Sequence, residues 1–215
     1  MGLTEVQRYV YEHPWELVTA AHWMKYPNAR CPQVLSADVL ERRVEDGGRV
    51  LHTRRLFTGA SAVPQKLHWL IPASPAYALE HSVVDTRERR MTLTLQSLSF
   101  ANILQITETC VYEPHESRTD CTVFTQEWTC EWKVPSYLKK RLDSLSLQRF
   151  RASVENGRTA VAEICAELES RWDEAARGMR QLCIPDDATD VRGRFIRHRQ
   201  YRPDELDAHS RAHNH

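Results

Sequence analysis

His81, Ser82 and Asp85 lie within one short stretch and have the residue types a hydrolase uses as base, nucleophile and orienting acid. That chemistry needs hydrogen-bond contact between nucleophile and base. The stretch alternates apolar and polar residues, so it reads as a strand, and a strand sends His81 and Ser82 to opposite faces. The triad reading fails on that geometry. No HExxH, GxSxG or glycine-rich phosphate loop occurs elsewhere, and seven glycines leave little material for one. Cysteines at 31, 110, 121, 130, 165 and 183 form neither a CxxC pair nor a Cys/His zinc spacing. They read as small buried hydrophobes. The histidines at 209, 213 and 215 could bind a metal adventitiously. We expect no enzyme, no dedicated metal site and no cofactor.

The cations are more informative. Lys25 lies between Trp23-Met24 and Tyr26-Pro27, and Arg149 immediately precedes Phe150. A cation set among apolar residues is what an anionic headgroup requires. Arg54, Arg55 and Lys66 cluster around the 58–75 stretch, and Lys139, Lys140, Arg141, Arg151 and Arg158 join Arg149 on a later helical stretch. A solvated charged face is the competing reading for these. The total says less than the positions: 29 Lys and Arg balance 29 Asp and Glu. That balance argues against a broadly basic nucleic-acid binder.

The elements that must position these residues follow from periodicity. The 215 residues, 41% hydrophobic and 27% charged, supply one core. The longest uncharged run, Met91 to Thr107, is too polar for a membrane span. The N-terminus lacks an apolar signal core. Residues 3–12 read as a strand, and His13-Pro14-Trp15 opens a short helix that Tyr26-Pro27-Asn28 ends. Alternation then predicts strands at 34–44, 49–57, 78–84, 91–98, 103–112 and 122–132, with Asp46-Gly47-Gly48 as the clearest hairpin turn. Val63–Pro75 interrupts this meander with an apolar tip between prolines, read as core packing or as a lid. A long helix follows Pro135 and runs to about Trp172, with wide apolar steps near Arg149 and Gly157 that predict a bend or a change of face. Residues 186–215 hold six Arg and six acidic residues with few large apolar ones, and are expected to fray. The expected fold is α+β: a curved antiparallel sheet covered by a short N-terminal and a long C-terminal helix. The enclosed space either fills with side chains or holds an apolar ligand.

Several segments together resemble the PRELI-domain family. They are His13-Pro14-Trp15, Lys25-Tyr26-Pro27-Asn28, Val34 to Leu40, and Arg54-Arg55-Leu56-Phe57 leading into the Pro64 loop. Glu80 to Asp85 followed by Arg90-Met91, Glu108 to Tyr112, and Thr125 to Trp128 are similar to the Slowmo branch in particular. The resemblance spans residues 1–172 and leaves 173–215 as a charged C-terminal tail. It implies a lipid-transfer domain with a lipid cavity, carrying phosphatidic acid or phosphatidylserine between mitochondrial membranes. It further implies the mitochondrial intermembrane space, a small twin-CX9C helical partner, and reversible peripheral membrane contact. Lys25 and Arg149 match basic positions used near the lipid phosphate, with Arg158 or Arg54 as a compensating cation. Val63, Pro64, Lys66, Leu67, Trp69, Leu70 and Ile71 match the lid loop. The family's lysines before the lid are replaced here by Thr58, Gly59, Ala60 and Ala62, and a later helix lysine falls at Asn156. The alternative within this fold is a scaffold or assembly factor that no longer transfers lipid.

Overall fold

The structure, a computed structural model, describes residues 2–60 and 75–182, with side chains through residue 174. The chain divides into two compact units, Met1–Trp172 and Asp173–His215. The second is described only through Leu182, where its residues are helical.

The elements run β1 (Leu3–Tyr11), α1 (Trp15–Met24), β2 (Val34–Glu45), β3 (Val50–Gly59), β4 (Ala76–Asp85), β5 (Arg90–Ser97), β6 (Leu104–Pro114), β7 (Thr122–Trp132) and α2 (Ser136–Leu182). Seven strands form one antiparallel sheet in the order β1-β7-β6-β5-β4-β3-β2. Among the described residues α1 interrupts the meander after β1, and β1 and β2 lie on opposite edges. The fold is therefore the expected α+β one, a curved sheet with a short N-terminal and a long C-terminal helix. At the β2–β3 turn Gly47 and Gly48 take φ of +65° and +96°, conformations that glycine adopts without a Cβ clash.

The sheet's helix-facing side carries two apolar clusters. In the first, Trp15, Val18 and Ala21 of α1 meet Tyr112, Phe124, Val161 and Cys165. In the second, Trp128 and Trp132 of β7 meet Leu142, Phe150 and Val154 of α2. The rings of Trp128 and Phe150 stack 4.6 Å apart at 10°. Exposed pairs hold the flanks of α2: Arg151 to Glu5 at 2.9 Å, His13 to Glu169 at 2.9 Å, and Arg30 bidentate to Glu163. Such pairs individually add little.

The helix differs from expectation in two ways. It continues ten residues past Trp172, and it runs unbroken through Arg149 and Gly157. The inward stripe keeps its three- and four-residue rhythm through non-apolar residues: Leu142, Ser146, Phe150, Val154, Gly157, Val161 and Cys165. Ser146 belongs there because its hydroxyl accepts from Trp132 Nε1 at 3.1 Å. Gly157 belongs there for a reason found at the cavity.

Candidate functional site

Residues of both clusters line a cavity of about 340 Å³, within the range of small-molecule sites. Its apolar walls include Phe57, Leu93, Leu95, Ile106, Phe150 and Val154. Its lining also takes in Gly59 and Ala60 at the end of β3, and Ala76 and Tyr77 at the start of β4. Six charged or amide side chains also line it: Lys25, Gln33, Glu80, Glu108, Gln126 and Arg158.

Lys25 caps α1, where its backbone N–H donates to the His22 carbonyl at 3.2 Å. Its Nζ lies 5.0 Å from the centre of the Tyr26 ring. On its other side is α2, where a Cβ built on Gly157 would sit 2.9 Å from Nζ. Burial works against the ammonium, but Tyr26 and the Glu108 carboxylate more than offset it. The pKa lies above the ordinary lysine value, so Lys25 is charged at neutral pH.

Acceptors gather on β6 and β7. Glu108 Oε1 accepts from Gln126 Nε2 at 2.9 Å and from Cys110 Sγ at 3.2 Å. Gln126 Oε1 is buried without a hydrogen-bond partner among the described residues. On α2, Arg158 Nη2 donates to Gln7 Oε1 at 2.8 Å and its guanidinium lies 5.0 Å from the Tyr9 ring centre. The Arg158 Nε is buried and also lacks a partner among the described residues. Orphaned buried polar atoms are costly, and here two of them belong to side chains that line one cavity.

A buried network adjoins the site. Arg55 pairs with Glu80 through Nε at 2.8 Å and Nη2 at 2.7 Å. Arg55 Nη2 also lies 3.1 Å from His22 Nε2. A guanidinium only donates, so His22 Nε2 accepts, and the proton sits on Nδ1, which faces Tyr112 Oη at 3.2 Å. Burial, then the charges of Lys25 and Arg55, push the His22 pKa well below its ordinary value. Burial raises the Glu80 carboxyl, with Arg55 opposing it. Trp23 closes the network with its face 4.6 Å from the Arg55 guanidinium.

Of the three headgroup residues expected from the sequence, the structure brings only Lys25 to this cavity. Arg54 is exposed and pairs with Glu41 at 3.3 Å, because alternation along β3 turns it away from the side that Arg55 faces. Arg149 is exposed on α2 while Phe150 is buried, since consecutive helix residues do not share a face. The lid residues Val63, Pro64, Lys66, Leu67, Trp69, Leu70 and Ile71, and the histidines at 209, 213 and 215, lie outside the described residues. His81 is exposed and Ser82 fully buried, on opposite faces of β4. Cys31, Cys110, Cys121, Cys130 and Cys165 are free and buried. No group of metal-ligating side chains and no helix able to cross a membrane occurs among the described residues.

Of the two compensating cations expected, Arg158 lines the cavity and Arg54 does not; sequence reasoning passed over Glu108, Gln126 and Gly157 as site residues. A signal was available for Glu108: period two puts it on one face with Cys110 and Tyr112, a carboxylate on an apolar face.

An antiparallel sheet and two helices with a cavity lined by apolar and charged side chains define a class, the small α+β domains with a curved sheet. The chain belongs to the PRELI-like family, whose pattern matches residues 16–171. It is 31% identical to the mitochondrial protein UPS2 of Saccharomyces cerevisiae over 173 residues, covering 77% of this chain and 74% of that one. It is 29% identical to the slowmo homolog of Dictyostelium discoideum over 175 residues, covering 81% and 76%. A UPS-like protein of Schizosaccharomyces pombe is 42% identical over 120 residues, covering 55% of this chain and 64% of that one.

Proposed function

We propose that this protein carries an anionic glycerophospholipid between mitochondrial membranes, with the headgroup at Lys25 and the chains directed to the lining between β3 and β4. The observation that carries this reading is a charged lysine facing a cavity whose walls are otherwise largely apolar. Family membership and the mitochondrial relative support it. In this reading residues 63–71 are the lid, the site of action is the intermembrane space, and a small twin-CX9C helical protein is the partner. Membrane contact is peripheral and reversible, and residues 173–215 are a tail outside the transfer domain. The chemistry is transport, with no bond made or broken.

The energetics explain the build. A two-chain lipid has about 30 methylenes at about 0.8 kcal/mol each, so unaided desorption costs on the order of 20 kcal/mol. A carrier needs an apolar space that replaces membrane contacts continuously, and a cation to neutralise the headgroup. Between the two candidate lipids, phosphatidylserine suits the site better. Its ammonium would complement Glu108 and the orphan oxygen of Gln126, while its phosphate and carboxylate face Lys25 and Arg158. Phosphatidic acid would leave those acceptors unmatched.

The test is transfer of labelled lipid between liposomes by wild type and Lys25→Met. Losing one hydrogen bond to a charged group should lower transfer of phosphatidylserine about tenfold, with the melting temperature retained. Unchanged transfer overturns the headgroup role. A protein that purifies without phospholipid and transfers none is the scaffold instead.

A further inference from the structure

We propose that Gly157 is a positioning residue that seats the Lys25 ammonium against α2 and so sets how large a headgroup the cavity admits; this rests on the lipid reading above. Glycine is the poorest helix former after proline, yet Gly157 occupies the interior of a long helix, on its inward stripe. Backbone geometry does not require it there, since its φ is not in the left-handed region. Space explains it. A Cβ at 157 would meet Lys25 Nζ at 2.9 Å and Lys25 Cε at 3.6 Å, and no other atom within 4 Å outside its own helix. The missing side chain therefore accommodates one group alone, the lysine head.

That head is held between two surfaces, the bare backbone of α2 at Gly157 and the ring of Tyr26. Seated against the helix, the ammonium lines the same cavity as Glu108 and Gln126. A methyl group at 157 would displace it. The far end of a lysine is flexible, so the helix stays and the ammonium moves, into the space that a headgroup substituent would use. A bare phosphate monoester still fits beside the displaced ammonium. A phosphodiester bearing a serine loses its room. The glycine thus acts on selectivity through Lys25, without touching the lipid.

The experiment uses the full chain, with vesicles holding phosphatidylserine and phosphatidic acid together, and follows transfer of both by Gly157→Ala, Lys25→Met and the double variant. Gly157→Ala should melt no lower than wild type, because alanine favours the helix. Its ratio of phosphatidylserine to phosphatidic acid transferred should fall about tenfold, the scale of one charged hydrogen bond. In the Lys25→Met background the same substitution should leave the ratio unchanged, because there is no ammonium to displace. An unchanged ratio in Gly157→Ala, with Lys25→Met still impaired, overturns the seat and leaves the lipid reading standing. An equal shift in both backgrounds overturns it as well, showing that the methyl acts by its own bulk. Loss of folding in Gly157→Ala also overturns it, since a lysine end should yield to a methyl. If Lys25→Met transfers both lipids normally, the seat and the headgroup site fall together.

Discussion

β7 and β2 are similar in length and opposite in surroundings. Along β7 only Glu127 is exposed, whereas every residue of β2 from Asp38 onward is. Composition does not explain this, because β2 keeps apolar residues in the open: Val39 is 49% exposed and Val44 62%. Position does. β7 lies between β1 and β6, and its Trp128 and Trp132 pack under Leu142 and Phe150 of α2. β2 is an edge strand with one neighbour among the described residues. The strand carries two register irregularities, between Val34 and Ser36 and between Val39 and Glu41, and a run of charges at Glu41, Arg42, Arg43 and Glu45. Bulges and charges are how an open edge avoids pairing with other chains. The cavity occupies the border between these regimes, lined by Phe150 and Val154 on one side and by Val34, Phe57 and Gly59 on the other. The cavity arises between a covered strand region and an open one, without excavating a finished core.

Three measurements would break or sharpen this contrast. Phe150→Ala removes the ring stacked on Trp128 and should lower unfolding free energy by about 3–5 kcal/mol in urea denaturation. A loss near zero would abolish the distinction between covered and open regions. At the border, His22 gives an intermediate and pH-dependent effect. Its folded pKa is depressed by burial, so the unfolded chain takes up the extra proton first. The stability from neutral His22 is complete above pH 6.5 and falls as pH drops below it, by about 1.4 kcal/mol per pH unit. Denaturation midpoints between pH 7 and 5 should show that slope in wild type and a flatter one in His22→Gln. Equal slopes would remove His22 from the account. At the open end, Val44→Thr should change stability by less than about 0.5 kcal/mol. A larger loss would mean that β2 is covered in solution.

Strands and helices were legible because their periods differ, and every expected strand is present within two residues at each end. The site was less legible, for two physical reasons. First, adjacency does not fix a face. Arg54 and Arg55 are indistinguishable by type, and only the partner across β4, Glu80, reveals that Arg55 is the inward one. Arg149 beside Phe150 is the helical form of the same ambiguity. Second, a functional absence leaves no apolar signal. Gly157 registered as a gap in the apolar rhythm, which suggested a bend or a change of face, because the group that fills the gap comes from Lys25, more than a hundred residues away. Lys25 itself was legible because its neighbours on both sides are apolar.

The buried cysteines also bear on reactivity. Disulfide exchange requires a thiolate. Burial raises Cys130 to about 11 and Cys165 to about 12. At pH 7 a thiol of pKa 11 is ionised in roughly one molecule in ten thousand, and its sulfur must also be reached by an oxidant. Cys130 and Cys165 are therefore protected kinetically, by the packing of the sheet against its helices. That protection operates in an oxidising compartment as well as in a reducing one, and it lasts as long as the domain stays folded.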